Sequence, residues 1–159
     1  TDGGMLLEPD LEQKKALIRN AVSLYHAIGY KEPKVGILAA AETINPKMQD
    51  STDGAALKEC NQTVELPGCI IEGPISLDLS LSKEKAAIKG YISPVAGDAD
   101  LLVCPNLTCG NALGKILVEL AGATMAGLVL GAKVPIILAS RGSSSEEKYL
   151  SICLAAAGS

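Results

Sequence analysis

Hydrophobic positions fall into two kinds of run along this chain. From Asp10 to Gly29, Leu11, Ile18, Ala21, Val22, Tyr25 and Ile28 recur at intervals of three and four. That spacing predicts an amphipathic helix with a charged outer face. Asp10 suits its N-cap, Gln13 the reciprocal position of a capping box, and Gly29 its end. Val35–Ala39, Cys69–Glu72 and Asp100–Cys104 are instead short continuous apolar runs, the last two stopped by Gly73-Pro74 and Pro105. Such runs predict strands buried on both faces. Further helices are predicted from Asp53 to about Cys60, from a Ser82 cap to Gly90, after Thr108 through Leu113, Ile116, Leu117 and Leu120, and from Ser143–Ser145 to about Ala157. Residues 126–130 and 135–139 read as two more strands.

Helix and strand alternate, which predicts an α/β protein with a mostly parallel sheet covered on both faces. Four residues cannot make a parallel crossover, so the pair at 126–130 and 135–139 is antiparallel or divided between two subdomains. A length of 159 residues supports one domain's worth of core. The opening Thr1-Asp2-Gly3-Gly4 reads as the start of a piece cut from a longer protein, and it carries no signal-peptide pattern.

Composition narrows the function classes. The net charge of −4 and pI near 5.0 provide no basic field for nucleic acid or anionic lipid. Four Tyr with no Phe or Trp leave no base-stacking surface. No apolar stretch is long enough to span a bilayer. Five Cys (60, 69, 104, 109 and 153) with a single His and no C-x-x-C spacing argue against a zinc site or a disulfide framework, and for a reducing cytoplasm. No motif requires a metal. The expectation is a protein that handles something small.

Familiar catalytic patterns fail on inspection. Gly110–Lys115 is one residue short of a P-loop, and Ile116 replaces the hydroxyl that would hold magnesium. No G-x-G-x-x-G follows a strand and no G-x-S-x-G elbow occurs. His26 sits mid-helix and reads as a helix-face residue.

Three loops follow the C-terminal ends of apolar strands, where open α/β sheets place their ligands: Glu72–Asp78, Pro105–Asn111 and Ser140–Glu147. In the third, Arg141 stands beside three Ser that open a helix, a combination able to hold phosphate or another anion. Ser143-x-x-Glu146 and Ser144-x-x-Glu147 are also both capping boxes, so the loop reads equally as a helix start. In the second, Cys109 lies at a helix N-terminus, a position that favours a thiolate; as a small space-filler it needs no chemical role. Cys60, Cys69, Cys104 and Cys153 read as core. Asp98 and Asp100 precede a strand, at the opposite end from the loops.

Asn45-Pro46-Lys47-Met48, Glu72–Asp78, Ser93–Asp100, Pro105–Asn111 and Ser140-Arg141 together resemble the phosphate acetyltransferase/phosphate butyryltransferase family, in order and over essentially the whole chain, with a texture closer to the butyryl branch. The resemblance implies a layered α/β/α fold of the isocitrate/isopropylmalate dehydrogenase-like type. It implies that residues 1–159 are the C-terminal half: one subdomain plus the closing strand and helix of the other. The implied reaction interconverts acyl-CoA plus phosphate with acyl phosphate plus coenzyme A, the latter a co-substrate with no permanently bound cofactor. The implied partner is a second copy or the remaining N-terminal half.

Carried over residue by residue, the resemblance makes Arg141 the group that neutralises phosphate and Ser140 a donor to the reacting carbonyl or thiol. It makes Glu147 the acceptor of the thiol proton, standing where the acetyl branch has Asp, with Glu146 as substitute. Asn111, Gly110, Ser143, Ser144, Asp78 and Gly73 line the substrate site. Cys109 stands where the family commonly has Ala or Thr. It opens a second reading, an acyl thioester on Cys109 cleaved by phosphate, as in component C of the glycine reductase system. A third reading is a non-catalytic acyl-CoA-binding module.

Overall fold

A computed structural model describes residues 1–158. Strands β1 (Lys34–Leu38), β2 (Ile70–Ile75) and β3 (Leu101–Val103) form one parallel sheet in the order β2-β1-β3. Alternate residues of β1 serve its two faces. Val35 and Ile37 join Ile18, Ala21 and Val22 of helix α1 (Leu11–Ala27) and Leu57 of α2 (Gln49–Gln62) in the larger core cluster. Gly36 looks the other way, where an added Cβ would lie 3.2 Å from Ser80 Oγ and 3.5 Å from Ile75. There Ile75 packs with Leu79 of α3 (Leu77–Leu81) and Ala86 of α4 (Lys83–Ile88). Helices on both faces give the expected α/β/α layering.

Helix α5 (Leu107–Ala121) follows β3. A two-residue antiparallel pair, β4 (Leu128–Val129) with β5 (Ile136–Ile137), then leads to α6 (Ser145–Ala157). The antiparallel alternative for this pair is therefore the one realised. The Asp10–Gln13 capping box forms on α1, and Ser82 caps α4.

Two expectations need correction. β2 does not stop at Gly73-Pro74 but continues to Ile75. Pro74 has no N–H to offer a ladder, and β2 tolerates it because it is an edge strand whose register with β1 shifts between Gly36 and Leu38. Glycines make the local packing possible. A Cβ on Gly73 would lie 2.8 Å from Ile37 Cβ, and one on Gly54 would lie 2.9 Å from Pro74 Cα, so α2 rests directly on β2. The second correction is Cys153, which is exposed on α6 rather than part of the core.

Candidate active site

The second loop is held at both ends. Asn106 caps α5 by accepting from the Cys109 N–H at 3.0 Å, and its carbonyl accepts from Gly110 N–H at 3.1 Å. Asn111 Nδ2 donates to the Gly3 carbonyl at 3.1 Å. The backbone of residues 2–4 lies between this loop and the end of β5: a Cβ on Gly3 would be 3.2 Å from Gly110 C, and one on Gly4 would be 2.9 Å from the Leu138 side chain. Asp2 fixes that segment by accepting from the N–H groups of Gly4, Met5 and Leu6. Gly110-Asn111 and Leu138, just past β5, are thus brought to two sides of one short segment.

In the third loop, Ser144 and Glu147 form the capping box of α6: Glu147 N–H donates to Ser144 Oγ at 3.1 Å, and Ser144 N–H donates to Glu147 Oε2 at 2.8 Å. Of the two overlapping boxes in the sequence this one forms, because Ser143 N–H is already committed to the Ser140 carbonyl at 3.0 Å. Arg141 is exposed and, among the described residues, has no carboxylate partner, whereas the chain's other arginine, Arg19, lies 3.8 Å from Glu65.

The first loop lies at the far side of β1. Ser76 Oγ donates to Glu42 Oε1 at 2.5 Å or Asp78 Oδ1 at 2.7 Å, and Lys89 Nζ lies 3.0 Å from Glu42 and 3.5 Å from Asp78. The Ser76 hydroxyl and the Lys89 ammonium hold both carboxyls below their ordinary values. Asp78 is therefore tied to structure. Gly73 is buried beneath α2, so its role here is close packing. The Glu42–Ser76–Lys89 group was missed in the sequence because its members lie 34 and 47 residues apart.

A second group escaped the sequence reading. Between the starts of α1 and α2 and Pro105-Asn106 lies a cleft of about 530 Å³. Lys14 and Asp53 meet on its wall at 2.6 Å with side chains 5% and 7% exposed, and Gln49 Nε2 donates to the other Asp53 oxygen at 2.7 Å. Lys14 occupies one turn of an otherwise charged helix face, and no local signal separates it from its exposed neighbours.

Cys104, at the end of β3, is buried; Cys109, in the first turn of α5, is half-buried. Burial pushes the Cys104 thiol up to about 11, and the adjoining Cys109 thiol adds to the rise. Asp98 and Asp100 are at the opposite end of the sheet, as expected: Asp98 pairs with Lys34 and Lys83, and Asp100 Oδ2 accepts from Lys34 N–H at 2.8 Å. The His26 ring meets the Gly68 carbonyl, at 2.8 Å. Among the described residues no cluster of His, Cys, Asp or Glu is arranged to hold a metal, and no helix is long and apolar enough to cross a membrane.

Parallel strands covered by helices on both faces, with polar loops at their C-terminal ends, define a layered α/β protein. A family profile described as phosphate acetyl/butaryl transferase matches residues 1–156, and the chain belongs to that family. It is 45% identical over 156 residues to a phosphate acetyltransferase of Thermotoga maritima, covering 98% of this chain and 53% of that protein. It is 43% identical over 155 residues to a probable phosphate butyryltransferase of Bacillus subtilis, covering 98% of this chain and 52% of that protein. A branched-chain phosphotransacylase from Enterococcus faecalis V583 superposes with a TM-score of 0.90 at 34% identity, over 99% of this chain and 58% of that one. The chain therefore shares that protein's fold, and spans about half the length of the curated relatives it matches.

Proposed function

We propose that this chain is the C-terminal half of an enzyme that transfers an acyl group between coenzyme A and inorganic phosphate. The observation that carries the reading is Arg141: an exposed guanidinium without a carboxylate partner among the described residues, next to Ser140 in sequence and one turn ahead of α6. Such a group grips two phosphate oxygens at once. A phosphate oxygen attacks the thioester carbonyl, the C–S bond breaks, and the coenzyme A thiolate leaves and takes a proton. Ser140 donates to the carbonyl oxygen as negative charge gathers there. Glu147 or Glu146 accepts the thiol proton in the reverse direction. Gly110 and Asn111 form the facing wall, with Ser143 at the anion.

The relatives' printed names, acetyl and butyryl transferases together, support this class of chemistry and give no support to a Cys109 thioester or to a binding module. β4, β5 and α6 close a subdomain whose remainder belongs to the other half, and that half or a second copy completes the cleft. Five free thiols suit a reducing cytoplasm.

The test is free-thiol release from acetyl-CoA and butyryl-CoA, with and without phosphate, by this chain and by the complete protein. Phosphate-dependent release by the complete protein is expected, and its absence overturns the reading. Arg141→Gln should raise the phosphate concentration needed for half-maximal rate, and Ser140→Ala should lower the rate about a hundred- to a thousand-fold, the usual cost of removing one donor to a developing oxyanion. Glu147→Gln can keep the α6 cap, since Gln serves at that position. A loss of rate without change in α6 therefore marks Glu147 as the proton acceptor, and an unchanged rate passes the role to Glu146.

A further inference from the structure

Among the described residues from 107 onward, only Ser151 and Ala155, one turn apart on α6, are buried. The polar member of that pair uses its hydroxyl twice. Ser151 is 2% exposed; its Oγ donates to the Glu147 carbonyl at 2.7 Å and accepts from the Gly127 N–H at 3.0 Å. Gly127 stands immediately ahead of β4, and its carbonyl accepts from the N–H of Leu138, immediately beyond β5, at 3.0 Å. The two backbones run so close there that a Cβ on Gly127 would collide with the Leu138 carbonyl oxygen. Ser23 on α1 makes the same bond to a carbonyl four residues back, at 2.9 Å, but it is exposed and accepts from no N–H among the described residues. A bond to the preceding turn is ordinary for a helical Ser. The buried bond from Gly127 is what sets Ser151 apart.

These bonds close a circuit around the third loop. Along the chain, Leu138 leads through Ser140 and Arg141 to the cap that Ser144 and Glu147 form. Across the fold, Glu147 returns through Ser151 and Gly127 to Leu138. In a region with so little buried apolar surface, hydrogen bonds set the span between the loop's two ends. Without the Ser151 hydroxyl, the Gly127 N–H loses its acceptor at a partly buried position, an unfavourable state that movement of α6 away from β4 relieves.

We propose that Ser151 and Gly127 are positioning residues for the third loop, fixing where Arg141 stands relative to Glu147. Both act through the loop rather than on a substrate. The role rests on the acyl-transfer reading above; the circuit of bonds does not. A guanidinium displaced by about 1 Å from its productive place costs up to about a hundredfold in rate.

The test follows phosphate-dependent thiol release by the complete protein over a range of phosphate concentrations. Ser151→Ala should lower kcat/KM for phosphate about ten- to a hundredfold, chiefly through KM. Ser23→Ala, which loses only the local bond, should change neither constant. In an Arg141→Gln background, Ser151→Ala should raise the half-saturating phosphate concentration no further, because the group it positions is already gone. Equal effects in the two backgrounds would mark a general loss of structure and overturn the role, as would an unchanged KM in Ser151→Ala. Amide exchange checks the circuit without any substitution: the wild-type Gly127 N–H should be protected at least about tenfold over an unstructured amide. Exchange at the unstructured rate would overturn the circuit and the role together. A complete wild-type protein that releases no thiol in response to phosphate would overturn the acyl-transfer reading and the role that rests on it, and Gly127 protection would then stand as a property of the fold alone.

Discussion

Residues 18–103 and residues 107–158 carry apolar side chains in comparable patterns, yet they dispose of them differently. Every fully buried member of the two core clusters comes from the first stretch. In the second, α5 buries none of its residues, and Ile116, Leu117 and Leu120 are 52%, 38% and 82% exposed. α6 buries only Ser151 and Ala155, and Ile136 and Ile137 of β5 are each 41% exposed. The difference teaches that hydrophobic periodicity reports a face to be covered, not where the cover lies. For the first region the cover is local. For the second, a chain spanning about half of its relatives' length offers too little of it.

The sharpest way to break this contrast is through the Lys14–Asp53 pair. Lys14→Ala strands a buried carboxylate and should lower unfolding free energy by about 3–5 kcal/mol in urea melts, whereas Lys14→Met with Asp53→Leu should restore most of the loss. Next comes truncation of apolar residues. Leu57→Ala, at a fully buried position, should cost about 2–5 kcal/mol, and Leu120→Ala should stay within about 0.5 kcal/mol, as surface changes do. Equal costs at the two sites would end the distinction between the regions.

The caps sharpen it further. Asp10→Ala should cost about 1 kcal/mol of global stability, because α1 is built into the core. Ser144→Ala removes an equivalent box, but its effect should appear only as faster amide exchange in α6.

The smallest effect is local and depends on pH. Glu42 and Asp78 are held below their ordinary values of 4.5 and 3.8 by Ser76, Lys89 and each other's partners. A depressed carboxyl contributes above its unfolded value and loses that contribution as pH falls through the folded one. The tether between Glu42 and the end of β2 should thus hold at neutral pH and release only once pH falls below those ordinary values, seen as faster exchange at residues 39–45 while β1 stays protected.

Most of the first region was legible because its elements rest on neighbours in sequence. Apolar runs located β1, β2 and β3 within a few residues, and Asp10, Gln13 and Ser82 marked helix starts that form as read. α5 begins at Leu107, ahead of the expected Thr108, because Asn106 rather than Thr108 caps it. α3 was missed: five residues with Leu at 77, 79 and 81 show no helical period. α2 begins at Gln49, four residues before the expected Asp53, since Met48 supplies no side-chain cap to mark it. Of the proposed site residues, Ser140 and Arg141 were legible as loop residues after a strand, whereas Gly110 and Asn111, expected in a loop, stand within α5. The choice between two overlapping capping boxes was not, because a backbone bond from Ser143 to Ser140 decides it. Lys14–Asp53 and Glu42–Ser76–Lys89 were illegible for a related reason: each is a contact across the chain, and nothing in either local pattern announces it.

Pro74 has one more consequence, for the behaviour of the chain at high concentration. An edge strand with free N–H groups is a template on which other chains can add strands. On β2 that template is interrupted in the strand's last third, and β3 at the other edge is three residues long. Growth of fibrils from this sheet is therefore disfavoured at both margins. The segment to watch is Val134–Leu138, β-branched and aliphatic, with only Pro135 and the adjoining Lys133 to discourage stacking. A solubility screen of this chain should begin there and leave the parallel sheet untouched.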